Sequence, residues 1–222
     1  MTTDERVERG LRAQAELRRE LIGGGARPLG WKIGFNIAAV QERLGIDAPV
    51  IGFLTDAGLL EPGAWHPARG IAECEVAIHL GADVAPGATR DQAAAAIAGL
   101  GAAIEVTDRP DLELGLEAIL AANVFHRAVT FGEPVAGASL DGVTARVLVD
   151  GEERGSVDAL AATGDTAAVV AHVAELAGVA GESLRAGERI IAGAMPPLVL
   201  PEPGERVELD LGPLGRVGLA FT

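Results

Sequence analysis

The segment AECEVAIHL, residues 72–80, sets two glutamates one residue apart in a run that is otherwise mostly apolar. Successive side chains of a β-strand point to opposite faces. Glu73, Glu75, Ala77 and His79 therefore share one face, and Cys74, Val76, Ile78 and Leu80 share the other. The second face has the composition of a core. The first holds two carboxylates whose Cα atoms lie roughly 6.5–7 Å apart, so their side chains can converge on one point. Two such charges in a partly buried site repel, and at least one pKa rises. A hard divalent cation, Mg²⁺ or Mn²⁺, relieves that conflict, because it takes oxygen ligands and keeps waters that a substrate can displace. Glutamates are mostly exposed, so a Glu-x-Glu strand more often lines a solvated face, and spacing alone leaves both readings open.

A third acid bears on the choice. Glu105 lies in GAAIEVTD, again a carboxylate inside an apolar strand pattern, with Ile104 facing the opposite way. The segment TRDQAAAAIAGLG between the two strands reads as a helix with Thr89 as N-cap. The strands at 71–81 and 102–107 can then lie side by side in one sheet. Three converging glutamates form half of an octahedral shell for Mg²⁺ or Mn²⁺.

Working outward, residues 4–21 have the spacing of an amphipathic helix with Val7, Leu11, Ala15, Leu17 and Leu21 near one stripe. LGWKIGF and PVIGFL read as strands, with a helix between them stopped by Gly45. TDAGLLEPGAWHPARG reads as loop and residues 111–122 as helix. VTARVLVDGEERGSV is a hairpin turning at Asp150-Gly151. DTAAVVAHVAELAGV is a helix capped by Asp165, and the C-terminal segment is strand-rich. No repeat or composition break divides the chain. The expected architecture is one α+β domain over 1–222, with an N-terminal helix in 1–25 and a core in 26–222.

Composition narrows the function. With 49% hydrophobic residues, the 222-residue chain can bury a sizeable core. Only 3% are aromatic, with no Tyr, so base-stacking platforms are scarce, and a formal charge of −14 repels phosphate backbones. Nucleic acid and anionic membrane surfaces are therefore excluded as partners. The single cysteine forms no disulfide within the chain and no Cys-rich zinc site. The charged N-terminus has no apolar stretch of the secretory type, and no run suits a membrane span. The expected setting is soluble and cytoplasmic.

Three segments in order carry a resemblance: GWKIGFNIAAVQERLGIDAP (30–49), IAECEVAIHL (71–80) and AAIEVTDR (102–109). Together they resemble the 2-keto-4-pentenoate hydratase and 4-oxalocrotonate decarboxylase family of the fumarylacetoacetate hydrolase superfamily. The likeness continues through RAGERIIAGAMPPLVLPEPGERVELDLGPLGRVGLAF. It implies a mixed β-sandwich or roll with flanking helices. It also implies Glu73, Glu75 and Glu105 as ligands of Mg²⁺ or Mn²⁺, and Lys32 of the GxKxG pattern as the catalytic residue. Arg109 and Asn123 are implied as substrate-binding residues, with a homo-oligomer or a complex with a second enzyme of the same pathway. The implied chemistry begins with a short unsaturated 2-oxo acid that chelates the ion. A metal-stabilised enolate then leads to hydration, or to decarboxylation of an oxalocrotonate-type diacid.

Several positions depart from the family pattern. Val50 stands where hydratases carry an acid, and PVIGFL is nearer the decarboxylase run. Ala122 and Phe125 replace an Asp and a Ser around the retained Asn123. Asp165 stands for a histidine and Ala192 for a threonine. A full ligand set inside an altered substrate shell points to a smaller or more apolar substrate, or to a non-catalytic metal-binding subunit. Acylpyruvate C–C hydrolysis is the near alternative, but no His-Glu base pair is evident. His79 reads equally as a partner of the acids or as a satisfied strand histidine. His66 reads as exposed, His126 and His172 as structural, and Cys74 as core packing.

Overall fold

The computed structural model describes residues 4–222, so residues 1–3 of the expected N-terminal segment lie outside the described residues. Helix α1 (Glu5–Gly23) begins at Asp4, whose side chain accepts from the Arg6 N–H. It buries Val7, Leu11 and Ala15 as the periodicity requires, but turns toward Gln14 and Arg18 and leaves Leu21 exposed. Both polar residues have buried partners. Gln14 Nε2 donates to the carbonyls of Ile51 (3.0 Å) and Leu120 (2.9 Å). Arg18 pairs with Glu182 at 3.0 Å and lies over the Trp31 ring. The buried stripe thus shifts toward the side where backbone acceptors and acids are available.

After α1 come β1 (Pro28–Gly34), α2 (Ala38–Leu44), β2 (Val50–Thr55), β3 (Trp65–His66) and β4 (Ile71–Leu80). They are followed by α3 (Arg90–Ala96), β5 (Ile97–Thr107), α4 (Leu116–Ala121), β6 (His126–Phe131) and β7 (Val135–Ala136). The hairpin β8 (Thr144–Val149) and β9 (Glu152–Asp158) precedes α5 (Ala159–Thr163) and α6 (Thr166–Val179). The chain closes with β10 (Arg189–Val199), β11 (Arg206–Asp210) and β12 (Arg216–Phe221). Gly45 in the left-handed region ends α2, and Asp165 caps α6. Asp150 and Gly151, both at positive φ, make the expected hairpin turn.

Three elements differ from the sequence expectation. Thr89 does cap α3 in a reciprocal capping box with Gln92, but the helix stops at Ala96 and IAGLG is strand. Residues 97–101 find strand partners in β4 and β7, and that pairing outweighs the local alanine-rich helix preference. The helix expected at 111–122 is a 3₁₀ turn (Leu112–Leu114) and α4, separated by Gly115 at φ +78°. The loop at 55–70 contains β3, which pairs in parallel with β12.

Two sheets carry the architecture. One has seven strands, running β2-β1-β10-β4-β5-β6 with β7 beside β5, and the other runs β3-β12-β11-β8-β9. The mixed first sheet gets its parallel pair from β1 and β10. One of its faces, with Cys74, Val76, Ile78, Ile104 and Trp31, joins the main core, which also includes residues of α1, α4, α6 and the second sheet. The opposite face holds a smaller apolar cluster of Leu54, Ala77, Ala103, Val129, Phe131 and Ile191. The observed architecture is the α+β, two-sheet arrangement with flanking helices that the sequence implies.

Candidate metal centre and active site

β4 and β5 are antiparallel with Glu73 opposite Glu105 and Glu75 opposite Ala103. Register alone therefore puts the three glutamates on one face. Each offers an oxygen that lies within 4.8 Å of the other two. Glu75 and Glu105 are buried and Glu73 is partly exposed. Lys32 reaches the cluster from β1, with Nζ 2.6 Å from Glu105 Oε1, and donates to the Val124 carbonyl at 3.1 Å. Thr107 Oγ1 donates to Glu73 Oε1 at 2.8 Å. His126 Nδ1 is 2.7 Å from Glu105 Oε1.

Counted as ions, three carboxylates and one ammonium leave two negative charges in a largely buried space, an arrangement that is costly unless compensated. The charges respond accordingly. Burial, then Glu105 and Glu73, push the Glu75 carboxyl well above its ordinary range. Burial and Glu105 raise Glu73. Burial also acts to raise Glu105, but Lys32 and His126 outweigh it and hold that carboxyl low. Lys32 is desolvated, yet the surrounding acids more than compensate and keep it charged. Glu75 Oε2 and Glu105 Oε2 are buried without a hydrogen-bond partner. Two orphaned carboxylate oxygens beside an excess of two negative charges are what an oxygen-seeking divalent cation satisfies. The donor set fits Mg²⁺ or Mn²⁺.

The sign of these shifts sets a stability test. A carboxyl whose folded pKa is raised binds more protons in the native state than in the unfolded chain. For Glu73 and Glu75 the penalty is absent below the ordinary value of 4.5, grows as pH rises, and is complete above their folded values. Chelator-treated protein should therefore lose melting temperature as pH is raised above 4.5, most at the upper pH of the series. Mn²⁺ at about 100 times its Kd should restore about 2.7 kcal/mol at the upper pH. Calorimetry with and without the ion checks both.

The cluster opens on a cavity of about 220 Å³. Its walls include Lys32, Glu73, Glu75 and Thr107 at the polar end, with Phe35, Val40, Leu112, Phe125 and Leu198 among the apolar remainder. Phe35 and Phe125 meet edge to face with centroids 6.5 Å apart. The turn that delivers Phe125 is unusual, since Asn123, Val124 and Phe125 all have positive φ, at 59°, 50° and 63°. A β-branched residue there is a true outlier, and such strain concentrates at functional sites. This turn sends the Val124 carbonyl to Lys32 and the Phe125 ring to the cavity.

Asn123 and Arg109 are placed differently from the four charged residues. The Asn123 amide is occupied by the backbone of β2: Oδ1 accepts from Phe53 N–H at 2.8 Å and Nδ2 donates to Phe53 O at 2.9 Å. It fixes the strained turn and is not on the cavity wall. Asn123→Ala should cost roughly 2–4 kcal/mol, because two buried backbone groups lose their partners. Chemical denaturation measures this. Arg109 is exposed and off the cavity wall, while Pro110 and Leu112 of the same segment line it. His79 lies in register with Arg189 and Gly99, away from the acids. Burial, with Arg189, lowers its pKa to about 4. Cys74 is buried on the core face, and burial followed by Glu75 and Glu73 raises its thiol pKa.

Sequence reasoning passed over two residues. Thr107 follows Glu105 by two positions, so strand alternation already put it on the same face. His126 read as structural because nothing local reveals the register that sets it opposite Thr107. A histidine hydrogen-bonded to a ligand carboxylate orients that ligand. His126→Ala should weaken Mn²⁺ binding roughly 10–100-fold, as read by titration calorimetry.

The two sheets and the carboxylate cluster define an α+β protein with a largely buried three-glutamate centre beside a cavity. A family model described as Fumarylacetoacetate (FAA) hydrolase C-terminal matches residues 39–220. The 2-hydroxyhexa-2,4-dienoate hydratase of Comamonas testosteroni is 32% identical over 210 residues, covering 89% of this chain and 80% of that protein. A 4-oxalocrotonate decarboxylase of a Pseudomonas species is 29% identical over 235 residues, covering 100% and 90%. The solved 4-oxalocrotonate decarboxylase from Pseudomonas putida G7, complexed with magnesium and adipate, superposes with a TM-score of 0.85 at 24% identity over 94% of this chain and 83% of that one. The chain belongs to the fumarylacetoacetate hydrolase family. Among the described residues no helix is long and apolar enough to cross a membrane.

Proposed function

We propose that this protein is a divalent-metal-dependent lyase that hydrates a short unsaturated 2-oxo acid. The observation that carries the reading is the convergence of Glu73, Glu75 and Glu105 within 4.8 Å, with Glu73, Glu75 and Lys32 on the wall of the cavity. These three carboxylates would hold Mg²⁺ or Mn²⁺, which would supply Lewis acidity to a bound 2-oxo acid. Lys32 has three N–H groups, and Glu105 and Val124 O take two. The third is free to give a proton to substrate carbon as water adds across the conjugated double bond, and the proton that the adding water releases restores the ammonium. Thr107 and His126 hold Glu73 and Glu105 in orientation. Phe35 and Phe125 keep water from the apolar side of the cavity. A small-molecule 2-oxo acid is the partner this site calls for, and we propose a homo-oligomeric, cytoplasmic enzyme as its working form.

Decarboxylation is the second reading. It is favoured by Val50, a fully buried apolar residue where hydratases carry an acid. The test is an assay of 2-hydroxypenta-2,4-dienoate and 4-oxalocrotonate with Mg²⁺ or Mn²⁺, following dienol absorbance and released carbon dioxide. Metal-dependent loss of the dienol with no carbon dioxide is the expected result. Inactivity toward both with either ion, together with co-purification of a second protein, would instead support a non-catalytic subunit.

A further inference from the structure

The substrate class follows from the charges on the cavity wall. Among the described residues, Lys32 is the only Lys, Arg or His that lines the cavity, and its ammonium sits 2.6 Å from Glu105. The nearby cations of this part of the chain are elsewhere. Arg109 is exposed and off the wall, Arg43 pairs with Glu113 at 2.5 Å, and Arg127 pairs with Asp108. Asn36, at the mouth, is a neutral amide and does not compensate a charge. Away from the acids the wall is Phe35, Ile37, Val40, Phe125, Leu198 and neighbouring apolar groups. Ile37 is 55% exposed and Leu198 42% exposed, so apolar surface continues out to the rim with none of the described residues covering it.

We propose that the site selects a 2-oxo monoacid with a hydrocarbon tail and discriminates against a second carboxylate at the tail's end. The inference rests on the proposed function and names its substrate class. The head of such an acid meets the cation site and Lys32, and its tail runs along Phe35 and Phe125 toward the Ile37–Leu198 rim. A distal carboxylate on that path would give up water for an apolar wall with no positive partner. The chain's net charge of −14 adds repulsion. A methylene on the same path loses nothing and adds roughly fourfold in affinity for each one fully buried.

Titration calorimetry on the Mn²⁺-loaded full chain tests this with three ligands: 2-oxohexanoate, 2-oxooctanoate and 2-oxoadipate, the last matching the first in carbon number but carrying a second carboxylate. The expected result is Mn²⁺-dependent binding in which 2-oxohexanoate exceeds 2-oxoadipate by about tenfold or more, with 2-oxooctanoate tighter still. Leu198→Arg, at an exposed rim position, should supply the missing cation and cut the monoacid preference by about tenfold. If 2-oxoadipate binds as tightly as 2-oxohexanoate, and both need Mn²⁺, the substrate class is wrong and the proposed function stands. If no 2-oxo acid binds in an Mn²⁺-dependent way, the proposed function fails and takes this inference with it.

Discussion

Glu75→Gln should abolish metal-dependent turnover and lower Mn²⁺ affinity by more than the roughly 10–100-fold expected for an orienting residue such as His126. The amide keeps the shape of the side chain and removes its charge. Glu75 Oε2 is buried with no hydrogen bond, so no group of the protein compensates the change. The same substitution should leave the metal-free protein as stable as the parent or more so above neutral pH. It removes a desolvated carboxyl that Glu105 and Glu73 push toward protonation. This pairing of opposite effects separates a ligand from a merely structural glutamate, whose loss would lower stability under every condition. Melting temperatures of both proteins, with and without Mn²⁺, give the comparison in one experiment. Unchanged Mn²⁺ binding in the variant would remove Glu75 from the ligand set.

Much of this site was legible in the chain because a β-strand has a strict period. Alternation alone puts Glu73 with Glu75 and Glu105 with Thr107, opposite the core-facing Cys74 and Ile104, and the pairing of β4 with β5 joins the two sets on one face. Residues recruited through long-range register were harder to place. His126 meets Glu105 only because β6 pairs with β5, and no property of FHRAVTF states that offset. The Asn123 turn is a second case. The amide of Asn123 suits recognition of a ligand, but the fold uses it to hold Phe53 and so to support three consecutive left-handed residues. Local propensity misled in the opposite direction at residues 97–101. A helix-like alanine run feeds a strand there because sheet partners on two sides provide hydrogen bonds that an isolated helix end lacks. Helix α1 shows the same tension, since Gln14 and Arg18 win buried positions over Leu21 through specific acceptors rather than hydrophobicity.

Lys32→Met should divide binding from chemistry. Lys32 and a divalent cation compete for the same carboxylates, and Glu105 Oε1 now carries both the Lys32 ammonium and His126. Removing the ammonium frees that oxygen and takes a positive charge from the ion's neighbourhood. Mn²⁺ should therefore bind Lys32→Met at least as tightly as the parent. Turnover should nevertheless fall by about 10²–10⁴-fold, the usual contribution of a positioned proton donor. Methionine approximates the length of the lysine stem, so the packing of that stem against Gly52 and the Val124 turn is largely kept. In the metal-free state the variant should be the less stable of the two, because the three clustered carboxylates then lose the ammonium beside them; Mn²⁺ should reverse that order. A lysine that only steadied Glu105 would show the contrary pattern, with weaker metal binding and a loss of rate no larger than the loss of bound ion explains. Measuring rate at saturating Mn²⁺ beside the binding isotherm distinguishes a proton donor from a scaffold.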